Sequence, residues 1–65
     1  MPLIQATILE GRSQVQKEAF YAAITQVAVE TLNVKPEQVR VIIQEVPKAH
    51  WAVAGVSMAE REAHP

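Results

Sequence analysis

Apolar and polar positions along this chain alternate first with one period, then another. Residues 2–9, PLIQATIL, alternate singly: Ile4, Ala6 and Ile8 fall on one face of a strand, Leu3, Gln5, Thr7 and Leu9 on the other. Both faces carry apolar side chains, so both are expected to become covered. Glu10-Gly11-Arg12 reads as a turn. Ser13 with Gln16 three residues on has the spacing of a capping box, which predicts a helix start. From Gln14 to Leu32 the period becomes helical. Phe20, Ala23, Ile24, Val27, Ala28 and Thr31 recur at i, i+3, i+4, i+7, i+8 and i+11, which makes one stripe. Lys17, Glu18, Gln26 and Glu30 lie mostly away from it. Asn33 can take the left-handed conformation that stops a helix, and Pro36 places a turn at 35–38. Residues 39–46, VRVIIQEV, return to period two and are rich in β-branched side chains. Val41 and Ile43 share one face, and Arg40, Ile42 and Gln44 the other. Pro47 ends this strand. Residues 51–56, WAVAGV, predict a short strand or hairpin arm with Gly55 as its weak point, and the polar SMAEREAHP a short helix or loose end.

Strand, helix, strand is the order of a β-α-β unit of the α/β class, here one domain over residues 1–65. The helix would run about 28 Å and the first strand about 23 Å, so the helix returns the chain to the sheet's starting edge. The two strands are therefore expected to be parallel, with a right-handed crossover. One helix covers one face of such a sheet. A parallel sheet needs both faces covered, which predicts that the second face meets another subunit.

Size sharpens that expectation. A chain of 65 residues buries only about 60% of its unfolded surface. There is no cysteine, hence no disulfide and no Cys-based metal site, and the lone histidines His50 and His64 cannot build one. With 49% hydrophobic residues, oligomerisation is the expected source of stability. The formal net charge of −1 is spread without a basic block, which argues against nucleic acid or an anionic membrane as partner. No secretory pattern and no apolar run of roughly 20 residues is seen. The lack of cysteine fits a cytoplasmic setting.

Few side chains remain for chemistry. There is no phosphate loop, because Gly11 and Gly55 are the only glycines, and no nucleophilic triad. Pro2, Arg12, Arg40 and Trp51 are the candidates. A proline that starts a strand loses little by lacking an N–H, and that is its common role. Were Met1 removed, Pro2 would instead offer a free secondary amine. An apolar pocket lined by cations lowers the proton affinity of such a group, since both effects disfavour its charged form. A hundredfold lowering corresponds to ~2.7 kcal/mol and leaves a general base near neutral pH. Arg12 beside a turn and Arg40 in an apolar strand are each commonly solvated or edge-protecting residues. Together they could clamp a dicarboxylate or α-keto acid. Trp51 serves either packing or the wall of a dry pocket; Leu9 is open between core and pocket wall; His50 is expected to be exposed. Pro2 and Arg12 are separated by an extended strand, over ~20 Å at ~3.3 Å per residue. One chain cannot bring them together. Two chains can, if their first strands meet antiparallel.

The Met-Pro start, ILEGRS (8–13), QKE (16–18), VRVII (39–43) and PKAHW (47–51) together resemble the 4-oxalocrotonate tautomerase family, over residues 2 to about 57. The resemblance implies that Pro2, after loss of Met1, is a base that moves a proton in a dienol or α-keto acid. It implies that Arg12 binds the remote carboxylate and that Arg40 binds the 1-carboxylate and 2-oxygen. Trp51 stands where the family has a pocket phenylalanine, a larger wall of the same character. The resemblance also implies a β-α-β subunit of an assembly that in small members is typically a hexamer, a trimer of dimers, with sites drawn from several chains. No metal or organic cofactor is implied; the partners are a small carboxylate substrate and copies of the chain. The segment after Val56 does not follow the family pattern. Family hydratases and dehalogenases need a carboxylate to orient water; Ala52, Val53 and Ala54 offer none, which leaves Glu10 and Glu45 as stand-ins. A scaffold or small-acid binder without catalysis is the third reading.

Overall fold

The computed structural model describes residues 1–63. Its order is β1 (Leu3–Leu9), α1 (Gln14–Leu32), β2 (Arg40–Val46), β3 (Ala52–Val53), β4 (Val56–Ser57) and α2 (Met58–Ala63). Single 3-10 turns, Pro36–Gln38 and Lys48–His50, flank β2. β1 and β2 pair in parallel, Leu3 opposite Arg40 through Leu9 opposite Val46. The ladder continues at both ends: the Arg40 N–H donates to the Pro2 carbonyl and the Glu10 N–H to that of Val46, each at 3.0 Å. β3 and β4 form an antiparallel hairpin. His64, and with it the end of the polar tail, lies outside the described residues.

The local signals act as their chemistry requires. The Gln16 N–H donates to Ser13 Oγ at 3.1 Å and the Ser13 N–H to Gln16 Oε1 at 2.9 Å, a reciprocal capping box. Asn33 closes α1 in the left-handed region, φ 54°. Gly11, at φ 120°, turns the chain between β1 and Arg12 in a conformation open chiefly to glycine.

The buried face of α1 differs from the expected stripe. Lys17, Tyr21, Ile24, Thr25, Ala28 and Val29 turn toward the sheet, whereas Phe20 and Val27 are 41% and 52% exposed. The packed face is rotated by about a quarter turn at 3.6 residues per turn; only Ile24 and Ala28 belong to both stripes. α1 is apolar on two adjacent faces, and the sheet takes one. On the sheet, Ile4, Ala6, Ile8, Val41 and Ile43 are half-buried, whereas Leu3 and Ile42 are exposed on the opposite face. Among the described residues, nothing covers Leu3 and Ile42 on that second face.

Ala28 is the one buried core residue among those described. The chain exposes 4958 Å², against about 4100 Å² for a compact monomer of its mass. Its radius of gyration is 15.3 Å, against about 11 Å for a compact domain of this length. Among the described residues no helix is long and apolar enough to cross a membrane.

The end of the chain is tied together. The Met58 N–H donates to the Trp51 carbonyl at 2.7 Å, Arg61 Nη2 to the Val53 carbonyl at 2.9 Å, and Lys48 Nζ to Glu62 Oε1 at 2.6 Å. α2 is therefore fastened to both the hairpin and the turn before it.

Candidate active site

β1 divides the candidate residues into two groups. Pro2 is half-buried at its N-terminal end, and its carbonyl receives the Arg40 N–H. Pro2 and Arg40 are thus neighbours through backbone pairing. The Arg40 side chain is exposed, and its Nη1 donates to the Glu37 carbonyl at 2.6 Å. This bond holds one terminal nitrogen of the guanidinium against the preceding turn. It leaves the guanidinium's other donors for an anion, since a guanidinium has five.

At the far end of β1 is a hollow of about 450 Å³. Leu9, Arg12 and Trp51 line it, with Ile8, Phe20 and Ile43 completing an apolar wall. Thr7, Gln16 and Lys17 add polar groups. The turn at Gly11 brings Arg12 in; the 3-10 turn after β2 brings Trp51. Lys17 Nζ is spoken for: it pairs with Glu45 Oε1 at 2.8 Å. The Arg12 side chain has no hydrogen bond or ion pair among the described residues. An unpaired guanidinium against aromatic and aliphatic walls suits an anion with an apolar body, such as an unsaturated carboxylate.

Arg12 and Arg40 are at opposite ends of β1, so no single chain makes a clamp of the two. The Glu45 carboxylate is occupied by Lys17. Glu10 lines a smaller neighbouring hollow with Arg12. His50 is exposed. Among the described residues, no group of three His, Asp or Glu side chains could hold a metal ion. Gln16, Lys17 and Phe20 were not candidates from the sequence. Gln16 and Phe20 stand four residues apart on α1, the spacing at which side chains share a helix face; Lys17 carried no such signal.

Comparison with known proteins decides the family. The tautomerase enzyme family model matches residues 2–61. The chain belongs to the 4-oxalocrotonate tautomerase family. It is 54% identical to a probable tautomerase of Ralstonia nicotianae, over all of this chain and 93% of that one. It is 45% identical to the 2-hydroxymuconate tautomerase of Pseudomonas putida over 92% of this chain and 95% of the relative. A solved structure of a 4-oxalocrotonate tautomerase isozyme from Methylibium petroleiphilum superposes with a TM-score of 0.95 at 47% identity, covering 98% of this chain and all of that one. The tautomerase fold is accordingly the β-α-β unit with a short C-terminal hairpin described above, and the chain is a tautomerase.

Proposed function

We propose that this tautomerase moves a proton within an unsaturated 2-hydroxy or 2-oxo dicarboxylate such as 2-hydroxymuconate, with the Pro2 amine as base. The observation that carries the reading is the unpaired Arg12 in an apolar hollow beside Leu9 and Trp51. Its supporting relatives include a 2-hydroxymuconate tautomerase.

Met1 is 79% exposed, so its removal disturbs no packing and frees the prolyl nitrogen. While Met1 remains, that nitrogen is an amide without useful basicity. Once free, it takes the hydroxyl proton of the dienol as the 2-oxygen becomes a carbonyl, and the resulting ammonium gives that proton to the far carbon of the conjugated system, which regenerates the amine. Nothing is gained or lost, so no cofactor is required. Arg40, beside Pro2, holds the 1-carboxylate and the 2-oxygen and stabilises the charge that develops there. Arg12 holds the remote carboxylate. Trp51 and Leu9 keep the surroundings dry, which strengthens both contacts.

Pro2 and Arg12 lie a strand's length apart, roughly 20 Å. The working site is therefore composed from different chains, with Arg12, Leu9 and Trp51 of one facing Pro2 of another. The surface left open by one chain supports this: Leu3 and Ile42 on the bare sheet face, Phe20 and Val27 on α1. A homohexamer, a trimer of dimers, is the assembly the family resemblance implies. Ketonisation of 2-hydroxymuconate followed by ultraviolet absorbance tests the activity. Wild type is expected to be fast and Pro2→Ala slow; equal, slow rates would remove the isomerase reading. Hydration is the weaker reading, because Glu45 is held by Lys17.

A further inference from the structure

The segment after Val56 takes no part in the chemistry above, yet it reaches the carboxylate-binding arginine. Arg12 borders a second hollow of about 280 Å³, which it shares with Leu9, Glu10, Gly11, Lys48 and Glu62. Two carboxylates thus line the same space as a guanidinium that pairs with neither. For Glu62 the reason is visible: its Oε1 accepts from Lys48 Nζ at 2.6 Å. α2 carries Glu62 to this place, and the bonds from Met58 to Trp51 and from Arg61 to Val53 fix α2 there.

We propose that Lys48 is a positioning residue that holds the Glu62 carboxylate and so keeps Arg12 open for the carboxylate of a substrate. Glu62 is chemically the same kind of group as the ligand end that Arg12 binds. Tethered to the chain, it would compete at a high effective concentration. Lys48 prevents this by supplying a nearer cation. The proposal rests on the reading of Arg12 as the site for the remote carboxylate. Both partners are partly exposed, 41% and 58% by side chain, so the competing pair would be a surface pair of modest strength.

The test is a set of variants assayed at low ionic strength. The substrates are 2-hydroxymuconate and 2-hydroxy-2,4-pentadienoate, a dienol that lacks the remote carboxylate. Lys48→Gln is expected to raise KM for the dicarboxylate by about two- to fivefold with kcat nearly unchanged. Lys48→Arg should retain the wild-type KM. Adding Glu62→Gln to Lys48→Gln should restore it. Adding Glu10→Gln instead should not, although it removes the same charge from the same hollow. KM for the monocarboxylate should not move. The proposal is overturned if Lys48→Gln leaves the dicarboxylate KM unchanged, or if Glu62→Gln fails to restore it. Rescue by Glu10→Gln as complete as by Glu62→Gln would reduce the effect to local net charge and overturn it too. Arg12→Ala run alongside separates the two claims. If it leaves the dicarboxylate KM unchanged, the reading of Arg12 falls and takes the proposal with it. If it raises that KM while Lys48→Gln does not, only the role of Lys48 is lost.

Discussion

Replacing Arg12 by alanine isolates one contact whose worth follows from the geometry. The guanidinium has no internal partner, so its removal leaves no buried carboxylate stranded and the fold should be unaffected. What disappears is the carboxylate contact in a hollow walled by Leu9, Phe20 and Trp51. A charge-assisted hydrogen-bonded pair contributes about 1.5–3 kcal/mol. Arg12 is exposed in the single chain, which favours the lower end, while walls supplied by a second chain, as proposed above, would favour the upper. Loss of kcat/KM for 2-hydroxymuconate should thus be on the order of ten- to 150-fold. Steady-state ultraviolet assays with a matched dienol that lacks the remote carboxylate provide the control. Its kcat/KM should change less than about threefold, since the lost contact never existed there. An equal loss for both substrates would refute the reasoning and show that Arg12 supports the site rather than the remote carboxylate.

Other consequences can be checked independently. Co-refolding Pro2→Ala subunits with Arg12→Ala subunits should regain about a quarter of the wild-type rate, the share of sites that random mixing leaves with both groups intact; no recovery would mean that one chain supplies both. Ala54 and Gly55 are the two loop residues of the β3–β4 hairpin and both have positive φ, 53° and 82°. Ala54→Asn or Ala54→Gly should therefore stabilise the protein by about 1 kcal/mol in chemical denaturation at fixed protein concentration. Ser13→Ala breaks the capping box and should cost about 1 kcal/mol in the same measurement, with little change in kcat.

How much of this was legible in the sequence depends on the range of the signal. Ser13 with Gln16, Asn33 and Pro36 act on backbone groups within a few residues, so the bounds of α1 follow from them directly. The parallel pairing followed from a single long helix between two strands. The packed face of α1 did not. Alanines at 19, 22, 23 and 28 give little contrast around the helix, and Phe20 and Val27 are as apolar as Tyr21 and Val29. Only the position of the sheet decides between those faces. The Lys17–Glu45 pair joins residues far apart in sequence and depends on how α1 lies across β2. From the sequence, Lys17 therefore lay only among the residues away from the apolar stripe. The place of α2 rests on side-chain ties to Lys48 and Val53 that no periodicity announces. For the candidate site, the residue types were readable and their separation along β1 was too. On the function proposed above, a second chain would bring them together, and a single sequence gives the need for that chain but not its position.

The proton transfer proposed here hangs on the nitrogen of Pro2, which a nitrogen-15 NMR titration of proline-labelled, assembled protein reads at the atom itself. The expected signal is an amine resonance that titrates below the ~8 of an ordinary exposed α-amino group, in step with the rising limb of the kcat/KM profile. A resonance that titrates at or above that value, or an amide resonance that does not titrate while the protein turns over substrate, would contradict it.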